Sequence, residues 1–167
     1  MASLKWILSY ACGYAELGMY EEAKHELASI EEAELENPAV LETKVYVYGV
    51  MKEWVSMETY AITLCEKSPD NEGAWIHLAY ARRRARSITE ARMVLLGAVA
   101  RFPENATIHY NLACYAAQLD DLCEARKCFD TCIALNPLFI IEALKDDDLE
   151  PLWPEVAELK AKLPSKK

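Results

Sequence analysis

Cysteine, histidine, carboxylate and arginine side chains are the groups in this chain that could do chemistry, and their spacing limits what that chemistry is. Cys128 and Cys132 stand one helical turn apart and could share a metal ion with Cys123 or Cys114. There is no Cys-x2-Cys pair and no histidine at a ligand spacing, and packing alone explains Cys132, so no metal or other cofactor is expected. With Cys12 and Cys65 the cysteines number six, which would be a disulfide framework in a small secreted chain and reduced thiols in a cytoplasmic one. His25, His77 and His109 fall in different predicted elements, and five glycines form no phosphate-binding loop. Glu31, Glu32, Glu34 and Glu36 lack the spacing of a metal-binding loop and read as a solvated face. With no nucleophile beside a base and no paired carboxylates at a cleft, an enzyme is not expected. What remains is recognition chemistry. Arg82, Arg83, Arg84 and Arg86 offer forked donors to carboxylates, and Tyr46, Tyr80 and Tyr110 offer rigid aromatic area with a polar tip.

The elements that must position these residues are helical. Trp75-x2-Leu78-Ala79 is followed by Ala91-x3-Leu95, Ala98 and Pro103, and His109-x2-Leu112-Ala113 by Ala125-x3-Phe129, Cys132 and Pro137. Pro103 and Pro137, Ala91 and Ala125, and Leu78 and Leu112 are each 34 residues apart, a period that one helix-turn-helix unit occupies. Small residues at Ala79, Ala91, Ala98, Ala113, Ala125 and Cys132 let two helices approach, and Trp75, Leu78, Leu95 and Phe129 supply the apolar area they bury. Carried backwards, the register starts further units at Pro38 and Leu4. Gly18-x-Tyr20-x2-Ala23-x3-Leu27 matches the turn and second helix of the first. The second is degenerate: Leu41 replaces the Trp, Lys44 falls on a core position, and Lys52-x-Trp54 stands where Gly-x-Tyr stands in the first.

The whole matches the tetratricopeptide repeat, which it resembles over roughly residues 4 to 137. The resemblance implies an all-α fold, a right-handed superhelical solenoid of antiparallel helix pairs. It also implies one domain over residues 1–167, with repeats at 4–37, 38–71, 72–105 and 106–137, a C-terminal capping helix within 138–163 and a tail at 164–167. Ser87-x-x-Glu90 and Asp121-x-x-Glu124 read as capping boxes at second helices. Because Pro appears late in the first repeat, at Asn37-Pro38, its second helix is expected to run a turn longer than usual. After Pro137 the pattern stops, and the segment to Leu163, with the bend Asp146 to Pro154, must cover the last open apolar face.

Composition narrows the function. The chain of 167 residues is 53% apolar and carries 18 basic against 27 acidic side chains, a net charge of −9, so it can bury a core and is a poor match for nucleic-acid phosphates. No apolar run is long enough to span a membrane and the first residues make no secretory signal, so the expectation is a cytoplasmic protein without membrane insertion.

Proteins of this resemblance bind peptides or other proteins in a groove lined by the first helix of each pair, which implies a non-enzymatic interaction module or adaptor. Projected here, the groove holds Leu8, Cys12 and Glu16, then Glu42, Tyr46 and Val50, then Ile76, His77, Tyr80, Arg83 and Arg84, then Tyr110, Asn111, Cys114 and Gln118. An aromatic surface with a basic middle suits a protein or peptide partner carrying an acidic group. The competing reading makes the arginines solvated cations at a helix end and the tyrosines packing residues between helices. One subgroup of the family grips chaperone C-termini with Lys, Asn, Asn, Lys and Arg. Those places hold Leu8, Cys12, Thr43, Gly73 and His77 here, or Glu42, Tyr46, His77, Thr107 and Asn111 one repeat on, so that role is not expected. A secretion-type chaperone and a self-associating scaffold subunit are the alternatives. The chain is expected to be a monomer or a weak homodimer joined at the first helix through Trp6 and Leu4.

Overall fold

The computed structural model describes residues 3–161. Every regular element among them is helical. The longer helices are α1 (Leu4–Glu16), α2 (Tyr20–Ala28), α3 (Pro38–Val50), α4 (Trp54–Lys67), α5 (Glu72–Ala85), α6 (Ile88–Val99), α7 (Ala106–Gln118) and α8 (Leu122–Leu135). They are followed by the short α9 (Phe139–Ala143), a 3-10 turn (Asp147–Leu152) and α10 (Trp153–Ala161). The expected end of the last helix at Leu163 and the tail beyond it lie outside the described residues.

First helices begin at Leu4, Pro38, Glu72 and Ala106, and side-chain caps share their spacing. Asn37 accepts a hydrogen bond from the Ala39 amide at 3.0 Å, Asn71 from Ala74 at 3.2 Å and Asn105 from Ile108 at 3.0 Å, each satisfying a donor the helix cannot. The turns repeat as well. Gly18, Lys52 and Asp120 all have positive φ, at 76°, 59° and 60°, the left-handed step that lets a chain double back after a helix. Lys52 makes this step without being a glycine, at a cost of about 1 kcal/mol. Arg86 holds the corresponding place after α5 but has φ −132° and ψ −88°. The chain divides into two compact units there, Met1–Ser87 and Ile88–Lys167.

In the first unit α1 packs on α2, α3 on α4, and α5 on α4, while the first helices α1, α3 and α5 are neighbours in that order. Ala11, Ala15, Ala23, Val40 and Val47 are fully buried with Leu27 and Ile30 around them, so small residues set the close approach of the helices. Helix α2 ends at Ala28 after nine residues, and a 3-10 turn over Glu32–Glu34 follows. This corrects the expected longer helix: Ser29 turns its hydroxyl back onto the Glu26 carbonyl at 2.7 Å, the local bonding by which serine competes with helix continuation. Trp75 donates its indole N–H to the Pro69 carbonyl at 3.0 Å, fixing the entry to α5.

In the second unit α6 and α8 both pack on α7. His109 sits 34 residues after Trp75 and does the same work, its Nε2 lying 2.8 Å from the Pro103 carbonyl, so that nitrogen carries the proton. At α8, Asp121 accepts from the Glu124 amide at 3.2 Å. The 3-10 turn lies against α7, and α10 packs on α9 and on that turn. Leu149, Leu152 and Val156 are fully buried, and Trp153 donates to the Ala143 carbonyl at 2.8 Å. Each of those apolar side chains contributes at most about 1.5–3 kcal/mol, so apolar burial is what holds the C-terminal segment down. No helix among the described residues is long and apolar enough to cross a membrane.

Candidate protein-binding face

The residues expected to line a groove lie on the first helices, and the two units treat them differently. In the first unit Tyr46, His77, Tyr80 and Arg84 are exposed, and Ile76 and Arg83 are partly buried. Tyr46 donates its hydroxyl to Glu16 Oε1 at 2.7 Å, and Asn71 donates to Glu42 Oε1 at 2.7 Å, so the two face carboxylates are occupied by neighbours. Desolvation lowers the pKa of His77 while Glu42 works the other way, which favours a neutral ring that can donate and accept. Tyr80 meets the Trp54 indole edge-on, centroids 5.7 Å apart, and the Arg84 guanidinium stands 5.0 Å from the centroid of the same ring. A hollow of about 460 Å³ opens beside them, lined by Lys52, Glu53, Trp54, Val55, Ser56, Arg84 and Ala85.

Two of the four clustered arginines share one acid. Arg82 and Arg86 donate through Nε to the two oxygens of Glu58, at 2.8 and 2.9 Å. Glu58 is buried in α4 and escaped the sequence reading. Its one visible signal is a carboxylate inside the apolar run of α4, beside Met57 and Ala61. Lys44, on a core position, is buried as its sequence place requires, with its ammonium 4.8 Å from the Tyr60 ring centroid.

In the second unit the corresponding face is covered at Tyr110 and Cys114. Tyr110 is only 8% exposed. Its hydroxyl donates to Asp146 Oδ2 at 2.8 Å, and its ring lies 4.8 Å from that of Phe139. The Cys114 thiol points to the same carboxylate oxygen at 3.6 Å, and Gln118 donates to the Asp148 carbonyl at 3.3 Å. Asn111 is partly buried and Gln118 exposed. Tyr110, expected to be an open groove residue, is therefore a seat for the chain's own acidic turn. The periodicity that located its helix face carried no information about a segment outside the repeats.

Cys114 is turned to Asp146, whereas the Cys128 thiol meets Glu124 at 3.8 Å. Burial pushes the Cys132 thiol up to about 12, and burial first, then nearby carboxylates, push Cys65 and Cys128 up to about 11. Such thiols stay protonated at neutral pH and make poor nucleophiles or ligands. Cys114, Asp146 and Asp148 do bring three ligand-type atoms within 4.8 Å of one another, but the Asp146 carboxylate already accepts from Tyr110 and, through Oδ1, from the Asp148 amide at 3.0 Å.

No family model and no curated protein sequence matches the chain. Solved structures do. MamA RS-1, an ArsTM double mutant, is similar with a TM-score of 0.68 over 78% of this chain and 74% of that one, at 18% identity. MamA AMB-1 has a TM-score of 0.65 over 96% and 93% of the two chains at 15% identity, and MamA MSR-1 has 0.63 over 94% and 96% at 16%. The likeness is one of fold, an all-α arrangement of helix pairs.

Proposed function

We propose that this chain is a non-enzymatic interaction module that receives a protein or peptide segment on the first-helix face of its first unit, through Tyr46, Ile76, His77, Tyr80, Arg83 and Arg84. The observation that carries the reading is the contrast between the units. Exposed aromatic rings and a guanidinium occupy the face of α3 and α5, whereas the same face of α7 is filled by the acidic turn at Asp146. Exposed tyrosines with an adjacent arginine are the side chains that most often concentrate binding energy, since they bring area with few rotors to freeze. Tyr110 and Gln118 then hold the acidic turn of the second unit, and Asn111 stays partly buried next to Tyr110 in α7.

The test is affinity capture with the full chain as bait, wild type against Arg83→Glu with Arg84→Glu, at physiological salt. A partner that meets these residues in a sheltered face is bound about 2 kcal/mol or more weakly by the double variant, and Lys127→Glu, away from the face, changes little. Capture of the same partners at undiminished affinity would overturn the reading.

Self-association is the second reading, favoured by Trp6 and Tyr10, exposed on α1 with rings stacked 6.0 Å apart. A concentration-dependent dimer abolished by Trp6→Asp would support it in sedimentation.

A further inference from the structure

We infer that Tyr80 and Arg84, fixed against Trp54, form a subsite for an aspartate or glutamate side chain of a peptide segment. The proposal rests on the peptide-receptor reading and names what the receptor recognises. Tyr46, Tyr80 and Cys114 occupy one place in the 34-residue register. At two of the three the chain supplies a carboxylate of its own, Glu16 to Tyr46 at 2.7 Å and Asp146 to Cys114 at 3.6 Å. At Tyr80, among the described residues, it does not. The residue 34 places after Glu16 is Val50, so an isopropyl group stands where the previous repeat puts its carboxylate. Tyr80 is 43% exposed, and among the described residues its hydroxyl meets no acid.

Arg84 lies one helical turn beyond Tyr80, on the same side of α5. Among the described residues it has no carboxylate partner either, whereas Arg82 and Arg86 are taken by Glu58. Its planar head over the indole is held by cation–π attraction and keeps its edge donors available. Trp54 thus orders both polar groups before a ligand arrives, which lowers the entropy lost on binding. The adjoining hollow adds Lys52 and the 70% exposed Val55, while its one acid, Glu53, is paired with Lys24 at 2.8 Å. Charge there favours an anion, and Val55 favours an apolar neighbour next to it. The chain's own segment has that chemistry in the second unit, where Asp146 meets Tyr110 and Cys114 and Leu149, three residues on, is fully buried.

The probe is a fluorescein-labelled decapeptide with the sequence of Ala143 to Leu152, and its control carries asparagine in place of the three aspartates. Both are titrated against the full chain by anisotropy, with the four tryptophan indole N–H signals followed by NMR. The acidic peptide is expected to bind at least about tenfold tighter than the control and to move the Trp54 signal. Arg84→Gln is expected to weaken it about tenfold and Tyr80→Phe about threefold. The subsite is overturned if neither peptide binds, if the control binds equally well, if Arg84→Gln leaves affinity unchanged, or if Tyr110→Phe and not Arg84→Gln governs binding, which would mean that the probe displaces the chain's own turn. If both peptides bind equally and Tyr46→Ala weakens both, the face still receives peptide and only its acid preference falls. Partner capture judges the receptor reading separately.

Discussion

The Nε of Arg82 donates across 2.8 Å to Oε1 of Glu58, a carboxylate only 3% exposed in the middle of α4. Arg86 takes the other oxygen at 2.9 Å, so α5 is tied to α4 by an acid with a base on each side. Desolvation raises the pKa of Glu58, but the hydrogen bonds from Arg86 and Arg82 and their charges outweigh it, leaving the group below its ordinary value. A carboxyl depressed in the folded state contributes stability that is present above its unfolded pKa and is lost as pH falls through the folded one.

Acid unfolding should therefore report this pair. Between pH 7 and about 5 the Glu58 contribution stays constant, and below about pH 4 it declines. Glu58→Gln is expected to flatten that decline, and Glu58→Ala to cost about 2 kcal/mol at pH 7, less than a fully buried pair because both guanidinium groups keep access to water. The check is thermal unfolding by circular dichroism at fixed ionic strength. Parallel pH profiles for wild type and Glu58→Gln would refute it.

Lys44 makes the opposite prediction. Desolvation lowers its pKa, and among the described residues the ammonium meets the Tyr60 ring and no carboxylate. A buried cation without a carboxylate costs more than its cation–π contact returns, so Lys44→Met, which keeps the stem, is expected to raise the urea midpoint by the equivalent of about 1 kcal/mol at pH 7. For a lysine depressed in the folded state the penalty holds below the folded pKa and is relieved as pH rises through it, so the advantage of the methionine variant should shrink toward pH 10 or so. A variant less stable than wild type at pH 7 would give the Tyr60 contact the larger share.

Legibility followed the repeat. Prolines, alanines and leucines 34 residues apart were enough to read an all-α fold of helix pairs, because each pair buries its own apolar stripe. The asparagine caps Asn37, Asn71 and Asn105 are equally visible at the same spacing. The late proline alone does not reveal that α2 is short, since Ser29 ends the helix by a bond no periodicity reports. The candidate face was legible as a set of residues sharing one side of each first helix, but not its occupancy. Whether Tyr46 meets Glu16, Arg82 meets Glu58 or Tyr110 meets Asp146 depends on partners 24 to 36 positions away, where side-chain reach and not pattern decides.

The closed face of the second unit gives the last prediction. Tyr110 and Asp146 join α7 to the 3-10 turn, and Asp146 also caps that turn through the Asp148 amide. Apolar burial at Leu149, Leu152 and Val156 exceeds what one hydroxyl–carboxylate bond contributes, about 1 kcal/mol or somewhat more for a charged acceptor. Tyr110→Phe should therefore loosen the turn without releasing the segment. Global stability is expected to fall by about 1 kcal/mol, and Asp146→Ala, which also removes the cap, by about 2 kcal/mol. The local readout is amide exchange at Leu149, whose N–H bonds the Asp146 carbonyl at 2.9 Å. It should quicken in Tyr110→Phe while amides at the centre of α7 and α8 change only with global stability. Unchanged exchange at Leu149 would mean that the buried leucines seat the turn unaided and that the Tyr110 hydroxyl merely satisfies its own burial.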